Sequence, residues 1–217
     1  MNNVFLFDLD GVLIDDESIW EKAKETIYLD LFGKEMITKM GSTVGINMDG
    51  IYELATKNGS TIPKETLLNA FYDRANEIYT TAPIPDGLDE LVHVLKSYGF
   101  LLGIVSASPK AWIDLVVERL SFKEDLSLIL SLFDRPDLLH KPAPDGYNEA
   151  IRTLQSNPQN TLVLEDSNAG IAAAKAAGAY TIGLKQNLVA GYVQKGADKY
   201  VDTIGGVIEI VKKFKPL

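Results

Sequence analysis

Two kinds of hydrophobic spacing alternate along the chain. Val4-Phe5-Leu6-Phe7 is an unbroken apolar run of strand length, ended by Asp8-Leu9-Asp10-Gly11. Such a run suits a strand covered on both faces of a parallel sheet, and Gly11 lets the backbone turn where a side chain would obstruct. The spacing then becomes helical. Trp20, Ala23, Ile27 and Leu31 recur on one face, acids Asp15-Asp16-Glu17 suit the first turn, and Gly33 ends the helix. Val44, Met48, Ile51, Leu54 and Ala55 predict a second helix within 44–57. Leu67, Leu68, Phe71, Ala75 and Ile78 predict a third within 63–79, opened by Pro63. About 65 residues therefore read as helices with no strand between them.

Thr80-Thr81-Ala82-Pro83-Ile84-Pro85-Asp86-Gly87 is rich in breakers, and after it short apolar strands alternate with helices. Strands are predicted at Leu101–Val105, Leu128–Leu132, Thr161–Leu164 and Tyr180–Ile182, with a short strand or turn at Tyr200 and a helix around Ile204–Val211. Ser108 is expected as an N-cap and Pro109 as the first residue of its helix. This grammar predicts an α/β fold: a doubly wound, Rossmann-like parallel sheet with a helical cap inserted after the first strand. The core is expected from residues 1–14 and 82–217, and the cap from 15–81.

Composition narrows the partners. The net charge of −9 over 217 residues lacks the clustered Lys and Arg that bind phosphate backbones, so a nucleic-acid role is not expected. Without cysteine there are no disulfides, thiolate nucleophiles or cysteine metal sites. No apolar run approaches membrane-spanning length, and acids at 8 and 10 interrupt what would be a signal's apolar region. The expectation is a cytoplasmic protein, monomer or weak dimer, with no membrane partner.

Four polar groups fall just beyond four apolar segments: Asp8 with Asp10, Ser106, Lys141 in the rigid His140-Lys141-Pro142-Ala143-Pro144 loop, and Glu165 with Asp166. The strand ends of a parallel sheet share one rim, where ligands bind. Each group has an ordinary explanation: turn former, solvated charge, or helix cap. Together they match a magnesium site beside an anion pocket, with oxygen ligands for a hard cation and donors for phosphoryl oxygens.

With these motifs in this order, the chain resembles the haloacid dehalogenase (HAD) superfamily. Within it, the resemblance is to the group with a helical cap after the first strand, which includes beta-phosphoglucomutase and small-molecule phosphatases. It implies that Asp8 is a nucleophile that becomes an aspartyl phosphate. Asp10 would protonate the leaving oxygen and then activate water. Asp8, the Asp10 carbonyl and Asp166 would hold Mg2+ with Glu165 adjacent, and Ser106, Ala107 and Lys141 would bind the phosphoryl group. The implied substrate is a small phosphorylated metabolite. Two departures stand out: the acidic pair is Glu165-Asp166 with Gly170 where many family phosphatases carry a second acid, and His140 replaces the usual Gly before the lysine.

The nearest rival is a sugar-phosphate mutase with the same core. That pattern has a histidine in the first cap helix and an arginine in the cap loop. Here the helix offers Trp20, and residues 40–50 contain no Arg, Lys or His, with Lys39 the nearest basic residue. Hydrolysis is therefore preferred. A phospho-accepting receiver module also combines acids, a hydroxyl and a lysine, but its accepting Asp lies on a middle strand and it has no cap.

Overall fold

The computed structural model describes residues 1–41, 43, 46 and 48–214; Val44 lies outside the described residues. It divides into two compact units, Met1–Glu17 with Ala82–Leu217, and Ser18–Thr81. The larger unit holds six strands: β1 Asn3–Phe7, β2 Phe100–Ser106, β3 Leu126–Ser131, β4 Thr161–Glu165, β5 Tyr180–Leu184 and β6 Lys199–Val201. All pair in parallel, in the order β3-β2-β1-β4-β5-β6.

β1 lies inside the sheet, with Val4 paired to Leu101 on one side and to Thr161 on the other. The chain builds outward through β2 and β3, then returns to β1's other side to build β4, β5 and β6. That reversal makes a topological switch point at the carboxyl ends of β1, β2 and β4.

The apolar run of β1 is continuous because both faces are covered. Val4 and Leu6 share a cluster with Val105, Val163, and residues Tyr147, Ala150 and Ile151 of helix α6 (Asp145–Thr153). Phe5 and Phe7 point the other way by the two-residue period, and the Phe7 ring lies 6.5 Å from that of Phe122. All four residues are fully buried. The remaining helices of this unit are α4 (Leu88–Ser97), α5 (Lys110–Val117), α7 (Asn168–Ala176) and α8 (Ile204–Val211). α4 packs against β2 and α8.

Strand limits shift modestly from the expectation. β3 starts at Leu126, which pairs with Leu102 before a register shift. β5 runs on to Leu184 because Gly183 still pairs with Glu165 on one side and Tyr200 on the other.

The smaller unit is helical: α2 (Met48–Lys57), α3 (Lys64–Thr81) and most of α1 (Glu17–Met40). Ile27, Tyr28, Met40, Ile51, Ala55, Leu67 and Phe71 form its apolar cluster. Gly33 interrupts α1 with φ 72° and ψ 164°, as a stop should, but the helix resumes to Met40. The reason is a second apolar set, Met36, Ile37 and Met40, which packs on the same cluster.

The larger unit's two connections to this insert are tied together. The Asp15 N–H donates to the Pro83 carbonyl at 2.8 Å, and the Arg119 guanidinium donates to the Ala82 carbonyl.

Candidate active site

Asp8 follows β1 directly, and its backbone N–H still bonds the Leu164 carbonyl at 3.0 Å, so the sheet itself fixes its position. Lys141 reaches the same point from the loop before α6. Its ammonium donates to Asp8 Oδ1 at 2.7 Å, Glu165 Oε1 at 2.6 Å and the Val105 carbonyl at 3.1 Å, which uses all three of its protons. Its side chain is 8% exposed, so these are buried charge-assisted bonds rather than surface pairs.

Glu165, the last residue of β4, is fully buried. Oε1 also accepts from the Tyr147 hydroxyl at 2.7 Å, and Oε2 accepts from the Asp166 and Ser167 backbones and from Ser167 Oγ. Asp166 does not cap the following helix. Ser167 does, accepting from the Gly170 N–H at 3.0 Å. Asp166 instead lies against the turn after β1, where a Cβ at Gly11 would come within 2.1 Å of its Oδ2. Gly11 also has φ +73°, so glycine is required there twice over.

Ligand oxygens of Asp8, Glu165 and Asp166 all lie within 4.8 Å of one another. Fully ionised, three carboxylates facing one ammonium would leave an excess of two negative charges. Burial, then the charge of Glu165, pushes the Asp8 carboxyl up to about 8 despite Lys141. Burial, then Glu165 and Asp8, holds Asp166 well above the usual carboxylate range. For Lys141, burial opposes the charge, but Asp8 and Glu165 outweigh it and hold the ammonium well above its ordinary value. An all-oxygen, buried cluster short of positive charge fits a hard divalent cation.

Asp10 is placed differently. Its Oδ2 accepts from Ser108 Oγ at 2.8 Å and lies 3.5 Å from Ser106 Oγ, which in turn accepts from the Ser108 N–H at 3.0 Å. Ser108 is thus no N-cap: α5 begins at Lys110, with Pro109 just before it, because the Ser108 hydroxyl is committed to Asp10. Ser131 Oγ holds the Ser108 carbonyl at 2.8 Å. Asp16 corrects a second expectation. It precedes α1 rather than lying in its first turn, is fully buried, and accepts from the Gly11 N–H at 3.0 Å. Burial, then the charge of Asp10 and a side-chain hydrogen bond to it, pushes the Asp16 carboxyl up to about 10.

The structure therefore gathers Asp8, Lys141, Glu165 and Asp166 into one buried cluster, with Asp10 and Ser106 beside one another at the same rim. Ala107 and His140 are exposed. Lys39 belongs to the helical unit and pairs with Glu35 at 2.8 Å. Sequence reasoning missed Asp16, Tyr147, Asn187 and Gln194. Asn187 Nδ2 donates to the Gly11 carbonyl at 3.0 Å, and Gln194 Nε2 to the Asp166 carbonyl at 2.6 Å. Only Asp16 left a signal, as one of the acids that follow the buried run Val12–Ile14.

Known proteins resemble this chain in sequence and in fold. Hexitol phosphatase B of Escherichia coli (strain K12) is 28% identical over 177 residues, covering 79% of this chain and 78% of that protein. Validoxylamine A 7'-phosphate phosphatase of Streptomyces hygroscopicus subsp. limoneus is 27% identical over 196 residues, covering 85% and 86%. The solved structure of a HAD hydrolase of family IA, variant 3, from Entamoeba histolytica superposes with a TM-score of 0.76 at 20% identity, covering 98% of this chain and 100% of that one. The model of the haloacid dehalogenase-like hydrolases matches residues 5–184, and the chain belongs to that family.

Proposed function

We propose that this hydrolase is a magnesium-dependent phosphatase that cleaves a small phosphate monoester, a sugar or polyol phosphate, through an aspartyl-phosphate intermediate on Asp8. The observation that carries the reading is the buried Asp8–Lys141 pair set among further carboxylates, a nucleophile aimed by an ammonium where negative charge is already in excess. The two named phosphatases, one named for hexitols and one for validoxylamine A 7'-phosphate, support the substrate class.

Asp8 attacks phosphorus while the ester P–O bond breaks, and Asp10 hands a proton to the departing oxygen. Asp10 then takes a proton from the water that hydrolyses the acyl phosphate. Ser108 and Asp16 hold Asp10 for this exchange, Ser106 and Ala107 receive the phosphoryl oxygens, and Lys141 turns to them the proton it otherwise donates to Asp8. Asp8, Asp166 and the Asp10 carbonyl would hold magnesium, which supplies charge neutralisation between two anionic reactants. A dianionic substrate does not cross bilayers, which supports a cytoplasmic enzyme.

Trp20 supports hydrolysis over phosphoryl shuttling. Its ring lies 6.1 Å from Phe71 and 6.2 Å from Tyr79 within the helical unit, so it packs a core where the mutase pattern has a substrate-gripping histidine.

A screen of phosphorylated metabolites with magnesium and with EDTA tests the proposal. Magnesium-dependent phosphate release is expected. It should vanish in a folded Asp8→Asn variant, while Asp166→Ala should raise the magnesium needed for half activity. Turnover that survives Asp8→Asn overturns the mechanism.

A further inference from the structure

Glu165 lies within reach of a cation, yet both its oxygens are occupied. Oε1 takes Lys141 Nζ at 2.6 Å and Tyr147 Oη at 2.7 Å. Oε2 takes the N–H groups of Asp166 and Ser167 at 3.2 Å each, and Ser167 Oγ at 3.1 Å. A carboxylate offers about four lone-pair sites, and five donors converge on this one. Its seat is also cut to fit: a Cβ on Gly170 would lie 1.7 Å from Oε1 and 2.2 Å from Oε2. A side chain at 170 and the Glu165 carboxylate therefore exclude each other.

Tyr147 touches both members of the Lys141–Glu165 pair. Its hydroxyl bonds the carboxylate, and its ring centroid lies 5.3 Å from the ammonium. The residue is 1% exposed, and burial, then the charge of Glu165, holds the phenol well above its ordinary value, so it remains a donor. None of the motifs assigned above includes it.

We infer that Tyr147 is a positioning residue: its hydroxyl fixes Glu165 as the partner of Lys141 and withholds that carboxylate from the metal, leaving Asp8 and Asp166 as the side-chain ligands. The inference rests on the phosphatase reading for the task of Lys141, which is to meet the phosphoryl group. Without the hydroxyl, Glu165 loses a donor on the oxygen that faces Lys141. The carboxylate can then turn, and the ammonium loses its aim.

Tyr147→Phe keeps the ring, its packing and the cation–π contact, and deletes one hydroxyl. Three quantities are compared with the wild type: calorimetric affinity for magnesium alone, affinity of the magnesium-loaded protein for inorganic phosphate, and kcat against KM on the best ester. Phosphate binding and kcat are expected to fall about 10-fold, the scale of one hydrogen bond to a charged group, while magnesium binds at least as tightly as before. Glu165→Gln, which keeps the size of the side chain, should weaken phosphate binding in the same way. Weaker magnesium binding in Tyr147→Phe, which changes no charge, would assign the pair to the metal and overturn the inference, as would unchanged phosphate binding in Glu165→Gln. Unchanged phosphate affinity and kcat in Tyr147→Phe would reduce Tyr147 to packing and also overturn it. If the wild type releases phosphate from no ester, the phosphatase reading fails, but the two binding measurements need no turnover and still decide the role of Tyr147.

Discussion

Asp8 and Asp10 are two residues apart in sequence and live in different chemical settings. Asp8 meets an ammonium and further carboxylates; Asp10 meets hydroxyls and the carboxyl of Asp16. That contrast is what a nucleophile and an acid–base partner require. Asp10→Asn should slow hydrolysis of alkyl phosphates by about 10²- to 10⁴-fold, the usual contribution of such a group. Aryl phosphates, whose leaving oxygens need no proton, should suffer much less. Equal losses for both would remove Asp10 from that role. The same cluster sets a pH dependence. With Asp8 raised to about 8 and Asp16 to about 10, the folded chain keeps protons that the unfolded chain releases above about pH 4. The stability from these protons is full below that pH, and the share of Asp8 is lost as pH rises through 8. In EDTA the melting temperature should therefore fall from pH 5 to pH 8, and saturating magnesium should flatten the slope by supplying the missing counter-charge. A melting temperature in EDTA that climbs over this window would contradict the assignment.

Among the elements, the turn after β1 joins fold to chemistry most tightly. Gly11→Ala would strain a left-handed residue, at about 1–2 kcal/mol, and drive a methyl group into the Asp166 carboxylate. We expect a lower melting temperature together with a higher magnesium requirement; a loss of stability with unchanged metal dependence would show that Asp166 is not a ligand. This turn was legible in the sequence because an apolar run, two acids and a glycine stand together in Val4–Gly11. Lys141 and Asp166 were legible for a similar reason, each sitting at a break in an apolar pattern. Tyr147 was not, since its spacing marks it only as one more apolar position of α6, and its partner Glu165 arrives from another strand. Ser108 was misread because serine before proline satisfies the rules for a helix start equally well, and only the tertiary approach of Asp10 decides where its hydroxyl goes. The stop at Gly33 was legible, since the backbone leaves helical geometry there, but the helical stretch after it was not, because Met36, Ile37 and Met40 show their face only against the cluster they join.

At the scale of the whole molecule, the chain is a sheet-based unit interrupted by a helical one, Ser18–Thr81. The hydrogen bond from Asp15 to Pro83 brings the ends of the interruption together, so a short Gly/Ser linker can replace it. We expect that replacement to blunt discrimination among phosphate esters while sparing activity toward a small aryl phosphate, with circular dichroism and melting used first to establish a folded core. A folded, linker-joined core that keeps the parent's full ranking of substrates would place selection in the sheet unit instead. The position of β1 has a consequence of another kind. The strand translated first pairs through Val4 with Leu101 and Thr161, so its neighbours are translated much later. The helical unit needs only contacts within its own span and can consolidate while the ribosome is still at work, whereas parallel pairing across such separations is slow. Asp8 therefore leaves the exit tunnel long before it has Lys141, Glu165 or Asp166 beside it, and the buried cluster they form is assembled only after β4 has emerged.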